Sequence, residues 1–179
     1  MVATRLMTIQ EFETSPLPGR WELIDGEPIA VTPSSGRSSR IGGRVYSRLA
    51  DFVEPTEIGW AFPADAGFIL FGDRAIVRSP DAAFVRRDRL PEEPAGFVPI
   101  APDIAVEVLS PSDRQPEAIA KVAMYLQAGV RLVWLVDPYK PTVTVFQPDA
   151  SVIVLGESDI LDGGEVLPGF SVAVVDIFA

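Results

Sequence analysis

The sequence predicts a single α/β domain over residues 1–179, a central mixed β-sheet flanked by helices with extra β-hairpins on its N-terminal side. Three observations point there. Two short apolar runs, Ile104 to Leu109 and Leu132 to Val136, bracket an amphipathic segment with helix-start and helix-stop residues, the pattern of a βαβ crossover. Earlier runs alternate with turn dipeptides at the spacing of antiparallel hairpins. A chain of 179 residues, 47% hydrophobic and 22% charged, should bury roughly 70% of its unfolded surface in one core, and no low-complexity tract or linker divides it.

The elements follow in order. Trp21 to Ile24 and Pro28 to Val31 flank Asp25-Gly26, a dipeptide suited to the positive φ angles of a tight hairpin. Thr32 to Gly36 reads as a loop. From Ser38 to Phe52 the apolar residues Ile41, Val45, Leu49 and Phe52 recur every three or four positions and predict a helix. Gly67 to Phe71, Ala75 to Arg78 and Asp81 to Val85 read as strands, the first two joined at Gly72-Asp73. The polar, Pro-rich stretch from Arg86 to Pro99 reads as an exposed connection. In the strand from Ile104 to Leu109, alternation sets Ile104, Val106 and Val108 on one face and Asp103, Ala105, Glu107 and Leu109 on the other. Ser112 or Asp113 can cap the following helix, Pro116 suits its first turn, Glu117 complements its dipole and Gly129 ends it, giving a helix over about 117–128. Thr142 to Gln147 and Val152 to Leu155 form a further antiparallel pair.

Composition excludes whole classes of chemistry. With no Cys there is no disulfide frame, thiolate nucleophile or iron–sulfur cluster, and with no His there is no imidazole base, no imidazole-bound metal and no serine-hydrolase triad. Catalysis must rest on carboxylates, Lys, Tyr, Ser or Thr. Fifteen basic against 25 acidic residues leave a net charge of −10, which argues against non-specific coating of nucleic acid but allows a local basic cleft. No apolar run is long enough to span a bilayer, and the start MVATRLMTIQEF lacks the features of a signal peptide, so a cytoplasmic, soluble protein away from membranes is expected.

One constellation could carry chemistry. Pro-Asp stands at the mouth of two strands, Pro80-Asp81 and Pro102-Asp103, and the second strand holds Glu107 among apolar neighbours. An unpaired carboxylate there is costly and demands compensation. Lys121 on the crossover helix is one candidate; a divalent cation shared with Asp81 is another. Mg²⁺ or Mn²⁺ prefers carboxylate, carbonyl and water oxygens, so Asp81, Glu107 and the Val108 carbonyl form a plausible ligand set for phosphodiester cleavage, with an ammonium nearby to orient water or neutralise charge. Lys121 has an ordinary reading as well, a solvated side chain or a partner of Glu117. Tyr125, one turn on, could buttress it. Arg40, Arg44 and Arg48 lie on one helix face and read either as a solvated stripe or as phosphate contacts.

In their order and spacing, Trp21-Glu22-Leu23-Ile24-Asp25-Gly26-Glu27, Pro80-Asp81, Ala101-Pro102-Asp103 through Glu107-Val108-Leu109-Ser110-Pro111-Ser112-Asp113, Lys121 with Tyr125, Gly129-Val130, Trp134 to Pro138 and Leu167-Pro168-Gly169-Phe170 resemble the Uma-two family, restriction-endonuclease-like proteins of the PD-(D/E)XK superfamily. The resemblance covers nearly the whole chain. It implies a restriction-endonuclease-like core and divalent-metal-dependent endonuclease activity on DNA, with Asp81 and Glu107 as the acidic pair, Glu22 as a further acidic residue and Asp103 as a supporting one. The superfamily's Lys two positions after the acidic residue is replaced by Leu109, and Lys121 looks like its migrated equivalent. Ser38 stands where relatives often carry His. A homodimer is consistent with cutting both strands. The competing readings are a catalytically inactive nuclease-fold binding or regulatory module, and a scaffold stabilised by a Glu107–Lys121 ion pair.

Overall fold

The computed structural model describes residues 6–111 and 113–179. In chain order the elements are α1 (Ile9–Glu13), β1 (Trp21–Ile24), β2 (Glu27–Ala30), α2 (Gly36–Thr56), β3 (Gly59–Pro63), β4 (Phe68–Phe71), β5 (Ile76–Arg78), β6 (Ala82–Arg86), β7 (Ile104–Val108), α3 (Gln115–Gln127), β8 (Leu132–Asp137), β9 (Thr142–Phe146), β10 (Val152–Leu155), β11 (Ile160–Asp162), β12 (Ser171–Ala173) and α4 (Val174–Phe178). Six strands form the central sheet in the order β10-β9-β8-β7-β6-β3. A four-stranded sheet runs β2-β1-β5-β4, and β11 pairs with β12. Within the central sheet β7 and β8 run parallel, joined by α3 as the crossover pattern predicts, and its other described pairs are antiparallel, so the sheet is mixed.

Side-chain alternation divides the core into two layers. Ala82, Phe84, Ile104, Val106, Val108, Trp134 and Val136 meet Ile41, Val45, Leu49 and Val53 of α2 on one face, together with the C-terminal residues Leu161, Phe170 and Ile177. Ala83, Val85, Ala105 and Val133 occupy the other face, under Val122 and Tyr125 of α3 and Phe68, Leu70 and Ile76 of the small sheet. Glu107 is two residues beyond Ala105 and therefore points to the α3 layer.

Local chemistry accounts for the element ends. The β1–β2 hairpin turns on Asp25 and Gly26, both at positive φ (49° and 80°), as the dipeptide predicts. Ser35 caps α2, its hydroxyl accepting from Ser38 N at 3.1 Å. The helix runs four residues past the expected Phe52, and Val53 continues the stripe of Ile41, Val45 and Leu49. Strand β3, which was not foreseen, lies between a Gly and a Pro; a Cβ at Gly59 would collide with Val85 O and the Phe84 ring, so close pairing with β6 requires glycine there.

Two expectations are corrected. The 86–99 connection is not simply exposed: Leu90 and Val98 are buried, and Val98 exchanges main-chain hydrogen bonds with Gly67 and Ile69, adding a rung to the small sheet. Asp113 does not cap α3. Its carboxylate accepts from Ser110 N (2.6 Å) and Ser110 Oγ (3.2 Å), closing the loop after β7, while the helix starts at Gln115 behind Arg114 with no side-chain cap. Ser112, the other expected cap, lies outside the described residues.

Candidate active site

Glu107 sits on β7 with 12% of its side-chain surface open, and both carboxylate oxygens are engaged: Oε2 accepts from Lys121 Nζ at 2.8 Å and Oε1 from Tyr125 Oη at 2.7 Å. Lys121 and Tyr125 are four residues apart on α3, hence on one helical face, which sets both donors above the same strand position. Tyr125 is fully buried, and its hydroxyl holds Glu107 rather than Lys121, the partner expected for it.

Glu22, nearly buried on β1, completes the cluster. Its Oε1 lies 3.6 Å from Lys121 Nζ and accepts from Ser79 N at 3.1 Å, while Oε2 accepts from Arg78 Nη1 at 2.5 Å. Lys121 thus stands between two carboxylates and does not pair with Glu117, which instead lies 3.9 Å from Arg114. Arg78, on β5, is the site residue that sequence reasoning missed. Its signal was a basic side chain ending a strand beside Pro80-Asp81, three residues from a candidate metal ligand, but nothing local told it from a surface arginine.

Asp81 precedes β6. The register of that strand pairs Ala82 with Val106, and Asp81 N donates to Val106 O at 2.8 Å. Its Oδ2 then accepts from Val108 N at 2.7 Å, so a carboxylate takes the ladder position that β6 no longer supplies. Oδ1 accepts no hydrogen bond from a described residue. Gly42 of α2 packs beside Asp81, where an added Cβ would sit 3.4 Å from the Asp81 Cβ.

The surroundings split the charges of the cluster. Burial pushes the Glu107 carboxyl up; Lys121 works against this, and Asp81 and Glu22 add to it. Burial also pushes Asp81 up, against the Val108 amide and Lys121. Glu22 is buried too, but Lys121, Arg78 and the Ser79 amide outweigh burial and hold it below the usual range. Burial acts to lower Lys121, yet Glu107 and Glu22 prevail and keep it above its ordinary value. Burial, then Glu107, hold the Tyr125 hydroxyl protonated well above its normal range.

Glu22, Arg78, Glu107, Val108 and Lys121 line a cleft of about 340 Å³ walled by Ile29, Ala30 and Val31. Asp81 lines an adjoining depression of about 500 Å³ with Arg20, Ser39 and Gly42, and the two share Ala30 and Val31. Asp81 and Glu107 offer carboxylate oxygens and Val108 a carbonyl, the donors a hard divalent ion prefers, while Lys121, Arg78 and Arg20 line the same depressions with positive charge. The free Oδ1 of Asp81 and the raised pKa values of Asp81 and Glu107 suit such an ion, and each Glu107 oxygen keeps a second lone pair. Among the described residues no group of three or more His, Cys, Asp or Glu could hold a metal. What the two adjoining depressions offer is the pair of carboxylates of Asp81 and Glu107.

Other expected site residues lie elsewhere. Asp103 is fully buried at the opposite end of β7 from Glu107. Its Oδ2 accepts from Arg86 N at 2.9 Å and its Oδ1 lies 3.0 Å from Arg89 Nη1, so it pins the connection after β6 instead of supporting the cluster. The arginine stripe of α2 is also reassigned in part. Arg40 Nη1 donates to Ala179 O at 2.7 Å, and Arg44 Nη1 donates to Ile177 O and Ala179 O, so both bind the C-terminal end of α4, where a helix presents negative charge. Arg48 is exposed and pairs with no described carboxylate. Ser38 is buried and donates to Leu109 O at 2.8 Å, tying α2 to the end of β7. No described helix is long and apolar enough to cross a membrane.

The comparisons agree with this architecture. Among solved structures the chain is similar to one described as "Crystal structure of a putative nuclease belonging to DUF820" from Anabaena variabilis, with 26% identity, a TM-score of 0.80, and 96% of this chain and 97% of that chain covered. No curated protein matches. The sequence model of the Uma2 family, described as "Putative restriction endonuclease", matches residues 9–175, and with nearly the whole chain inside that match the protein belongs to the Uma2 family.

Proposed function

We propose that this protein is a divalent-metal-dependent endodeoxyribonuclease that hydrolyses phosphodiester bonds in DNA, using Mg²⁺ or Mn²⁺. The observation that carries the reading is the Lys121 ammonium held between Glu107 and Glu22 in an open cleft, beside a desolvated Asp81 with a free oxygen. Asp81, Glu107 and the Val108 carbonyl would hold the ion, which would polarise a phosphoryl oxygen and lower the pKa of bound water. The rest falls to the chain. Lys121, charged at neutral pH, offers donors to the attacking water or a phosphate oxygen. Tyr125 fixes the orientation of Glu107, and Arg78 fixes Glu22, so that the ammonium keeps its place. Cutting both strands of a duplex calls for two such sites, and in this reading the active species is a homodimer.

The test is cleavage of supercoiled, linear and single-stranded DNA with Mg²⁺, with Mn²⁺ and with EDTA. The reading expects metal-dependent cutting that falls at least about hundredfold in Asp81→Asn and in Glu107→Gln, the scale of losing one electrostatic contact to the transition state. Cutting that survives EDTA or both substitutions refutes it. DNA that is bound but left intact under every condition points to the nuclease-fold binding or regulatory module instead.

A further inference from the structure

We propose that Tyr139, with Arg37 across its ring, is a stacking platform for an unpaired nucleobase, so that the DNA taken by this protein carries single-stranded nucleotides beside the cleft. The inference rests on the nuclease reading for the identity of its ligand and goes beyond it in naming the form of the substrate.

Tyr139 lies in the turn after β8, at the carboxyl end of the parallel pair β7–β8, the end of an α/β sheet where ligands gather. The turn is pinned: Asp137 Oδ1 accepts from Tyr139 N at 2.8 Å and from Lys140 N at 3.2 Å. The ring is tied down too. Tyr139 Oη is 3.2 Å from Ser35 Oγ, which is 2.9 Å from Ser38 Oγ, which donates to Leu109 O at 2.8 Å. Tyr139 Oη is thus within three hydrogen bonds, on the order of 9 Å, of the residue two positions beyond Glu107. Despite this positioning the side chain is 45% exposed, so it is held in place without being packed away.

The described basic residues of this molecule divide into those that face a side-chain carboxylate and those that do not. Arg20, Arg74, Arg78, Arg86, Arg89, Arg114 and Lys121 all sit against carboxylates. Arg37 and Lys140, the residue after Tyr139, belong with Arg40, Arg44, Arg48, Arg87 and Arg131 to those with no side-chain carboxylate within ion-pair distance among the described residues, and the Arg37 guanidinium lies 5.6 Å from the Tyr139 ring centroid. In a chain of net charge −10, a half-exposed aromatic with a guanidinium across its ring and a lysine next in sequence favours a ligand with a π-face and a phosphate. A base inside a duplex is stacked on both faces and has none to offer; an unpaired base does.

The test is fluorescence anisotropy in EDTA, which prevents cutting, using the full chain with a labelled oligothymidine of roughly 16 nucleotides and a blunt duplex of equal length. Tyr139→Ala should weaken binding of the single strand roughly 5- to 150-fold, the worth of one stacked base, and leave duplex binding unchanged. Tyr139→Phe, which keeps the ring and loses only its tie to Ser35, should bind the single strand far closer to the parent than Tyr139→Ala does, and Arg37→Ala should lower the salt slope by about 0.7 for one lost phosphate contact. An abasic strand should bind the parent and Tyr139→Ala equally. Unchanged single-strand affinity in a folded Tyr139→Ala protein, or a parent that prefers duplex, overturns the platform. If DNA is still cut with metal in that case, the nuclease reading stands without it; if single strands bind through Tyr139 but no DNA is cut, the platform stands and the nuclease reading fails.

Discussion

Replacing Lys121 by Met keeps the length and apolar stem of the side chain and removes its charge. In the parent the ammonium lies 2.8 Å from Glu107 and 3.6 Å from Glu22, with a quarter of its side chain open. Removing one partner of a buried pair costs about 3–5 kcal/mol because the other charge is stranded; the partial opening of Lys121 places this pair near the lower limit, about 3 kcal/mol. At roughly 2–4 °C per kcal/mol for a chain of this size, the unfolding midpoint should drop by about 6–12 °C at neutral pH. The pH dependence has a definite sign. Lys121 is what opposes burial, Asp81 and Glu22 at the Glu107 carboxyl, so without it the Glu107 pKa climbs further above the ordinary carboxylate value. A folded pKa above the unfolded one favours folding below the unfolded value, and that advantage is lost as pH rises through the folded value. The deficit of Lys121→Met should therefore be largest at neutral pH and shrink as the pH is lowered into the ordinary carboxylate range and Glu107 takes up a proton. Adding Glu107→Gln, which keeps an acceptor for Tyr125, should restore most of the loss at neutral pH. Calorimetric melting at neutral pH and at one pH in the carboxylate range decides it. A neutral-pH deficit under about 0.5 kcal/mol, an equal deficit at the two pH values, or a double variant no more stable than Lys121→Met would refute the electrostatic account.

Tyr125→Phe removes a 2.7 Å hydrogen bond to a buried carboxylate and should cost about 1.5–3 kcal/mol in a thermal melt; a loss below 0.5 kcal/mol would mean that Glu107 does not depend on that donor. Arg44→Ala deletes contacts with the terminal carbonyls of α4 and should cost only about 0.3–1 kcal/mol, leaving the salt dependence of DNA binding unchanged. A salt slope lower by about 0.9 on duplex DNA would show instead that this side chain reaches a phosphate.

Much of the architecture was legible because burial on two faces imposes a strict period. The run from Ile104 to Val108 and the four-residue stripe of α2 repeat at the spacing of their elements, and Asp25-Gly26 admits few other conformations. What was hidden lacks period: β3 is bounded by Gly59 and Pro63, β11 and β12 have three residues each, and Val98 joins a sheet from inside a Pro-rich stretch. In the site, Glu107 announced itself as a charge in an apolar strand, and Lys121 was one candidate for its partner, which helix position allowed without requiring. Asp103 had the same local signature as Asp81, Pro-Asp at the start of a strand, but β6 and β7 are antiparallel, so their starts lie at opposite ends of the pair. Only strand order could separate the two. Arg78 and Tyr139 were silent because their meaning comes from partners more than 50 and 100 residues away in sequence.

The cluster also resists explanation as ion pairing alone. Two carboxylates, Glu22 and Glu107, contact two cations, Lys121 and Arg78, with Asp81 close enough to feel Lys121, and apolar residues of equal volume in place of such a buried set are often neutral or stabilising by about 1–4 kcal/mol. Ion pairs retained for structure pull their carboxylates down in pKa, and Glu22 behaves this way between Arg78 and Lys121. Glu107 and Asp81 do not: burial leaves both raised although Glu107 touches an ammonium and Asp81 an amide. That contrast divides the labour. In the metal-dependent reading proposed above, Glu22 and Arg78 hold the lysine, whereas Asp81 and Glu107, whose carboxyls burial pushes up, are the groups that would take the ligand. A hard cation bound between them would bring both pKa values down and relieve the same desolvation that raises them now.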